Sequence, residues 1–348
     1  MRPRSAPTAE SKPQLASWLS RCLDRDLDAR GINITAPNDG GWSNETWIVD
    51  TGLDAPSRVV VRLEPRHAAM FDTYDLGDQV ACLALLDRHP EIPTPALLGS
   101  DLDGTELGRP AFVMEHVDGK VPRDDKPTFV EAGWLHEAGA PAQRQFHTSL
   151  LDALVAIHRI TPAADDGIAG VAEPDSNRAA VDELRRVWDY DPGANRSSTI
   201  HTVLDELDAD APTSAADVLL WGDARPANVV TDPTTFTPAA LLDWELATTG
   251  NPARDVIWLL EMNRMRAQGS GLDPLPGFLT DDESIDYFEC ASGTPLRAAD
   301  WYRRFAAVRV AVLMHRFLRV QVHAGHLDAG HRVFSDNVSL RRIDELTR

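Results

Sequence analysis

Four polar residues in one short stretch are patterned for chemistry: Asp223, Arg225, Asn228 and Asp243. Val229-Val230 and Leu241-Leu242 read as two short strands that pair as a hairpin, with turn-forming Thr231-Asp232-Pro233 between them. Such a hairpin leaves from Asn228 and returns to Asp243 at the same open end, so an amide oxygen and a carboxylate face one point. Magnesium takes a few hard oxygen ligands and keeps waters and phosphates for the rest, so this pair suits a Mg-nucleotide site. Asp223 precedes them on the entering loop, where a carboxylate can take or orient the proton of an attacking hydroxyl. Arg225, two residues further on, can offset charge on a transferring phosphoryl group.

Positioning these residues requires a frame, and the chain is long enough for two lobes. At 348 residues it exceeds the size at which single cores stop growing. Leu15, Trp18, Leu19, Cys22 and Leu23 repeat at helical spacing, and Gly31 follows as a stop, which predicts an opening amphipathic helix packed on a sheet. Strand-like runs at 32–35, 45–50 and 58–63 are separated by turn-rich segments and predict antiparallel hairpins. A helix through Val80, Leu83 and Leu86 and two more strands, 95–99 and 111–116, complete an α+β unit. Beyond Asp118-Gly119 the pattern turns helical, around 150–158, 180–188 and 301–318. The expected organisation is a leader and helix at 1–31, a small antiparallel-sheet N-lobe at 32–117 and a larger, mainly helical C-lobe at 118–348.

These residues lead to a family. Asp-x-x-x-x-Asn, a short hairpin and then Asp resembles the catalytic and metal-binding loops of the protein-kinase-like fold. Gly222-Asp223 with Leu242-Asp243-Trp244-Glu245 resembles its aminoglycoside phosphotransferase and choline-kinase-like branch. Leu220 to Arg225 and the Trp301-Tyr302 helix are similar to bacterial proteins related to the kinase domain of certain acyl-CoA dehydrogenase fusions. The resemblance covers roughly 32–318. It implies ATP and Mg²⁺ as cofactors, Asp223 as catalytic base, and Asn228 and Asp243 as metal ligands.

Gly40-Gly41-Trp42-Ser43-Asn44 resembles the family's nucleotide loop, which implies phosphate contacts from Ser43 and Asn44. Phe112 to Val117 resembles the hinge, which implies that backbone groups of Glu115 and Val117 read the adenine edge. Asp255 is implied as a support of the catalytic loop, and His158 matches a structural position. Arg62 stands where the fold usually has a phosphate-positioning lysine, Gln79 where a glutamate would orient that lysine, and Trp221 where a histidine precedes Gly-Asp. These departures keep open an alternative, a nucleotide-binding module with little transferase activity.

Other function classes are excluded or disfavoured. The chain holds 34 Lys+Arg against 54 Asp+Glu, a net charge of −20, which repels nucleic-acid backbones and anionic membranes. No signal-length or membrane-length apolar run occurs, so a soluble cytoplasmic protein is expected. Cys22, Cys82 and Cys290 have no metal-ligand spacing and are expected to be buried thiols. The acceptor is expected to be a small-molecule hydroxyl compound: by resemblance an aminoglycoside, choline-like alcohol, sugar or hydroxyacyl compound. Its pocket is expected from segments 131–145 and 262–280. Oligomeric state is not readable.

Overall fold

The structure, a computed structural model, describes residues 12–36, 45–65, 75–170, 175–190, 197–214 and 217–347. An opening helix α1 (Lys12–Leu23) is followed by β1 (Asn33–Thr35), β2 (Glu45–Asp50) and β3 (Arg58–Leu63). Helix α2 (Leu76–Leu86), β4 (Leu97–Asp101) and β5 (Ala111–Glu115) complete the N-terminal layer. The five strands form one antiparallel sheet in the order β1-β2-β3-β5-β4. Helix α1 ends well before Gly31; Asp24, at φ 50°, already leaves helical geometry.

Because successive strand residues point to opposite faces, the valine run of β3 is divided between two cores. Val59, Val61 and Leu63 join Leu15, Trp18 and Leu19 of α1 in an outer cluster. The opposite face carries Arg62, paired across the ladder with Phe112, and Phe112 and Met114 pack with Cys82, Leu83 and Leu86 of α2. Strand parity alone therefore turns Arg62 toward the rest of the protein. Cys82 is buried as expected, whereas Cys290 is exposed and Cys22 half-buried, because each lies at the edge of its helix's apolar face.

The remainder is predominantly helical. Helices α3 (Trp134–Glu137), α4 (Ala140–Ile157), α5 (Ser176–Tyr190) and α6 (Ser198–Ala209) precede a β interruption. Strands β6 (Val218–Leu220), β7 (Val229–Thr231), β8 (Pro238–Leu241) and β9 (Thr248–Gly250) form that interruption. Helices α7 (Ala253–Ser270), α8 (Asp281–Ser292), α9 (Ala299–His323) and α10 (Val338–Leu346) follow. Strand β6 pairs with β9 and β7 with β8, both antiparallel. Trp301, Tyr302 and Phe305 of α9 are buried, as their helical spacing predicts for core. No helix among the described residues is long and apolar enough to cross a membrane.

Candidate active site

The hairpin predicted from sequence is present: Val229 faces Leu241, Val230 faces Ala240, and Leu242 N–H donates to Asn228 O at 2.8 Å. Asn228 and Asp243 consequently leave its open end side by side. Asp243 adopts φ 64°, ψ 59°, a left-handed conformation uncommon outside glycine that turns its carboxylate out of the strand line.

The loop that carries Asp223 is shaped by its neighbours. Gly222 has φ +83°, and a Cβ there would collide with Leu246 O, so glycine is required. Its backbone is anchored by Asp255, which accepts from Trp221 N–H at 2.7 Å and Gly222 N–H at 2.9 Å. His158 Nε2 meets the same carboxylate at 3.1 Å. The supporting role expected of Asp255 and the satisfied histidine expected at 158 are one network. Trp221 donates its indole N–H to Leu242 O at 2.8 Å, tying the loop to the residue before Asp243.

Asp223 is buried, and both of its oxygens are engaged. Oδ2 accepts from Arg225 Nε at 2.8 Å and Asn228 Nδ2 at 2.9 Å, and Oδ1 accepts from Trp258 Nε1 at 3.0 Å. Asn228 Nδ2 also donates to Asp223 O at 3.0 Å, which leaves its Oδ1 as the atom able to face a cation. Arg225 donates onward to Asp124, and Arg266 reaches the same carboxylate at 2.7 Å. Burial alone would pull the Arg225 pKa down; Asp223, Asp124 and Asp243 outweigh it and hold the guanidinium charged.

Arg62 is expected to meet nucleotide phosphates, and here its Nη1 and Nη2 both donate to Asp243 Oδ1 at 2.8 Å. Glu115 ends β5 with an exposed side chain, and its N–H donates to Ala96 O at 2.9 Å; Val117 follows, half-buried. Ser43 and Asn44 lie outside the described residues. One amide oxygen and one carboxylate beside an arginine fork fit a divalent cation that takes its remaining ligands from water and phosphate. Among the described residues no three His, Cys, Asp or Glu side chains form a cluster able to hold a metal by themselves.

A cavity of about 360 Å³ lies beside the loop, between α2, α5, α9 and residues 245–249. Its wall carries Arg254 and Arg309 together with Asp78, Glu183 and Glu245. Arg309 Nη1 donates to Gly222 O at 2.8 Å and so links the cavity wall to the loop, while Asp223, Asn228 and Asp243 themselves lie outside the lining. Burial pulls Arg254 down to about 10, with Arg309 adding to the effect, and raises Asp78 with help from Asp75. Segments 131–145 and 262–280, expected to contribute the acceptor pocket, meet where Gln143 Oε1 accepts from Gly277 N–H at 3.0 Å, and Arg266 of the second segment reaches the Asp124 carboxylate that Arg225 also holds.

Trp258, Arg309, Asp124 and Arg266 escaped the sequence reading. A signal existed for Trp258, which stands three residues after Asp255 and so shares its helix face. The other three are brought in by tertiary contact alone.

The family model for the phosphotransferase enzyme family matches residues 34–290. The chain belongs to that family. Among curated relatives of this phosphotransferase-family chain, acyl-CoA dehydrogenase family member 11 of Gallus gallus is 27% identical over 249 residues, covering 70% of this chain and 30% of that protein. The chain spans well under half the length of the curated relatives it matches. Plasmodium vivax ethanolamine kinase has the same fold, with TM-score 0.60, 11% identity, and coverage of 100% of this chain and 97% of that one. A thermostable mutant of aminoglycoside phosphotransferase APH(4)-Ia, solved as a ternary complex with AMP-PNP and hygromycin B, matches with TM-score 0.59 and 16% identity over 96% of this chain and 98% of that one. The protein-kinase-like architecture expected from sequence, an antiparallel sheet followed by a helical part, is therefore the one adopted.

Proposed function

We propose that this phosphotransferase moves the γ-phosphoryl group of ATP to a hydroxyl of a small molecule held between the nucleotide and the helical part. The observation that carries the reading is the convergence of Asp223, Asn228 and Asp243 at one end of a single hairpin, with Asp223 held on both oxygens. Asp223 takes the proton of the acceptor hydroxyl as its oxygen bonds to the γ-phosphorus and the bridging bond to ADP breaks. Arg225 offsets charge on the group in flight, and Arg62 turns from Asp243 to the phosphates when nucleotide enters. Asn228 Oδ1 and Asp243 are the Mg²⁺ ligands, and the ion supplies neutralisation of phosphate charge. Backbone groups of Glu115 and Val117 hold the adenine edge, and Ser43 and Asn44 hold phosphate.

The AMP-PNP complex of the APH(4)-Ia structure supports the nucleotide, and its hygromycin B supports a small hydroxylated acceptor. The names of the curated relatives favour an acyl compound that carries the hydroxyl. A second reading, a nucleotide-binding module with little transfer, draws on the Arg62 contact that occupies Asp243 Oδ1.

A screen of aminoglycosides, choline analogues, sugars and hydroxyacyl thioesters with Mg-ATP separates the readings. Transfer to one class, lowered about 10²- to 10⁴-fold in Asp223→Asn with ATP binding retained, is the expected result. Unchanged product formation in that variant refutes the kinase reading. ATP binding without turnover supports the module, and failure to bind Mg-ATP sinks both.

A further inference from the structure

The two oxygens of Asp223 are served from different parts of the chain. Oδ2 receives its donors from Arg225 and Asn228, both on the same loop. Oδ1 receives Trp258 Nε1, from the first half of α7, at 3.0 Å. An aspartate's terminal torsion is broad and nearly two-fold, so the loop donors alone leave the plane of the carboxylate loosely set. A third donor on the other oxygen fixes it.

Trp258 is itself fixed. It is buried, and the Arg309 guanidinium lies over its indole ring at 4.3 Å from the centroid while donating to Gly222 O at 2.8 Å. One side chain of α9 thus grips both the loop backbone before Asp223 and the ring that holds the carboxylate. The indole N–H only donates and does not titrate, so it can serve Asp223 Oδ1 in one sense alone. Arg309 also faces the cavity, which makes the grip adjacent to whatever fills it.

We infer that Trp258, clamped by Arg309, is a positioning residue that sets which lone pair of Asp223 meets the acceptor hydroxyl. This rests on the reading of Asp223 as the base, and it extends the site to two helices that the loop motif does not include. The physical stake is orientation: proton transfer and in-line attack must share one geometry, and small misplacements cost rates steeply.

Trp258→Phe keeps an aromatic ring in the buried site and removes the N–H together with part of the ring's volume. The expected result is a fall in kcat for ATP-dependent transfer of about 10- to 100-fold, with KM for ATP within about twofold of wild type. Arg309→Lys retains charge without the planar stack and is expected to show an intermediate loss of about 3- to 10-fold. A reading independent of activity comes from ¹⁵N-indole NMR on the nine tryptophans. Trp258→Phe assigns the resonance, and Asp223→Asn moves it. Trp258→Phe with wild-type kcat, or an indole resonance at 258 indifferent to Asp223→Asn, overturns the inference. If wild type transfers to no acceptor, the base reading itself fails, and the positioning role fails with it even where the NMR contact is seen.

Discussion

Asp223 and Asp243 belong to the two chain ends of one small hairpin, which meet on its open side, and they are held in opposite ways. Asp223 draws its donors from Arg225, Asn228 and Trp258, all within the helical part, on a backbone already locked by Asp255. Asp243 sits in a left-handed conformation and takes its ion pair from Arg62, on the N-terminal sheet and 181 residues away in sequence. Asp223, proposed as the base, is therefore preorganised by one part of the molecule, while Asp243, proposed as a metal ligand, depends on how the sheet meets it. Preorganisation suits a group whose direction must be right at the moment of transfer; exchangeable pairing suits a group that must accept a cation and phosphates.

Variants at the two ends test this contrast. The largest effect is expected from Asp243→Asn: about three orders of magnitude in kcat/KM with Mg-ATP, matched by chelation of the metal, beside a stability loss of about 1 to 2 kcal/mol from the weakened Arg62 pair. Near-normal turnover in that variant breaks the contrast, because Asp243 would then carry no metal role. Asp255→Asn acts at the other end by unseating the Asp223 loop, and is expected to cost about 3 kcal/mol of stability in denaturant titration. A loss under about 1 kcal/mol would mean that the loop is not locked as its hydrogen bonds indicate.

These comparisons have an acid limit set elsewhere. Burial, assisted by Arg144, pulls His147 down to about 4, against an unfolded value near 6.5. Between those values the unfolded chain binds the extra proton, so stability falls as pH drops through the window. The group's contribution at pH 5 is about 2 kcal/mol below that at pH 7, and His147→Gln is expected to flatten the slope. A variant with the wild-type slope refutes the assignment.

The Arg62 and Asp243 pair offers a smaller and more pointed test. A double-mutant cycle of Arg62→Gln and Asp243→Asn in nucleotide-free protein is expected to give about 1 to 2 kcal/mol of coupling, vanishing with saturating Mg-nucleotide. Coupling that persists with nucleotide would favour the binding module over the kinase. Trp221→Phe, which removes the indole bond to Leu242 O and leaves a void beside Trp244, is expected to cost about 2 to 3 kcal/mol with turnover largely kept. A large kinetic loss there would show that the tie between the two ends matters to chemistry.

The contrast also explains what sequence made legible. The hairpin, its shared open end, the glycine at 222 and the support from Asp255 follow from local spacing, turn chemistry and family pattern. The resemblance also supplied His158 and the departures at Arg62, Gln79 and Trp221. It did not supply the partner Arg62 takes, because an arginine expected to meet phosphate has no local rule that ties it to Asp243. The cavity lined by α2, α5 and α9 had no signal along the chain, because its walls come from segments far apart in sequence.

By itself the sequence determined the elements, the parity that turns Arg62 inward and the order of chemistry-bearing residues along the β interruption, since periodicity and short-range spacing act within a few residues of chain. The tertiary structure alone decided that Trp258 reaches Asp223 and Arg309 reaches Gly222, that Arg225 is shared with Asp124, and where the cavity opens. Those side-chain contacts join residues 35 to 101 positions apart. They are set by how helices pack around the loop, and no pattern along the chain encodes that distance.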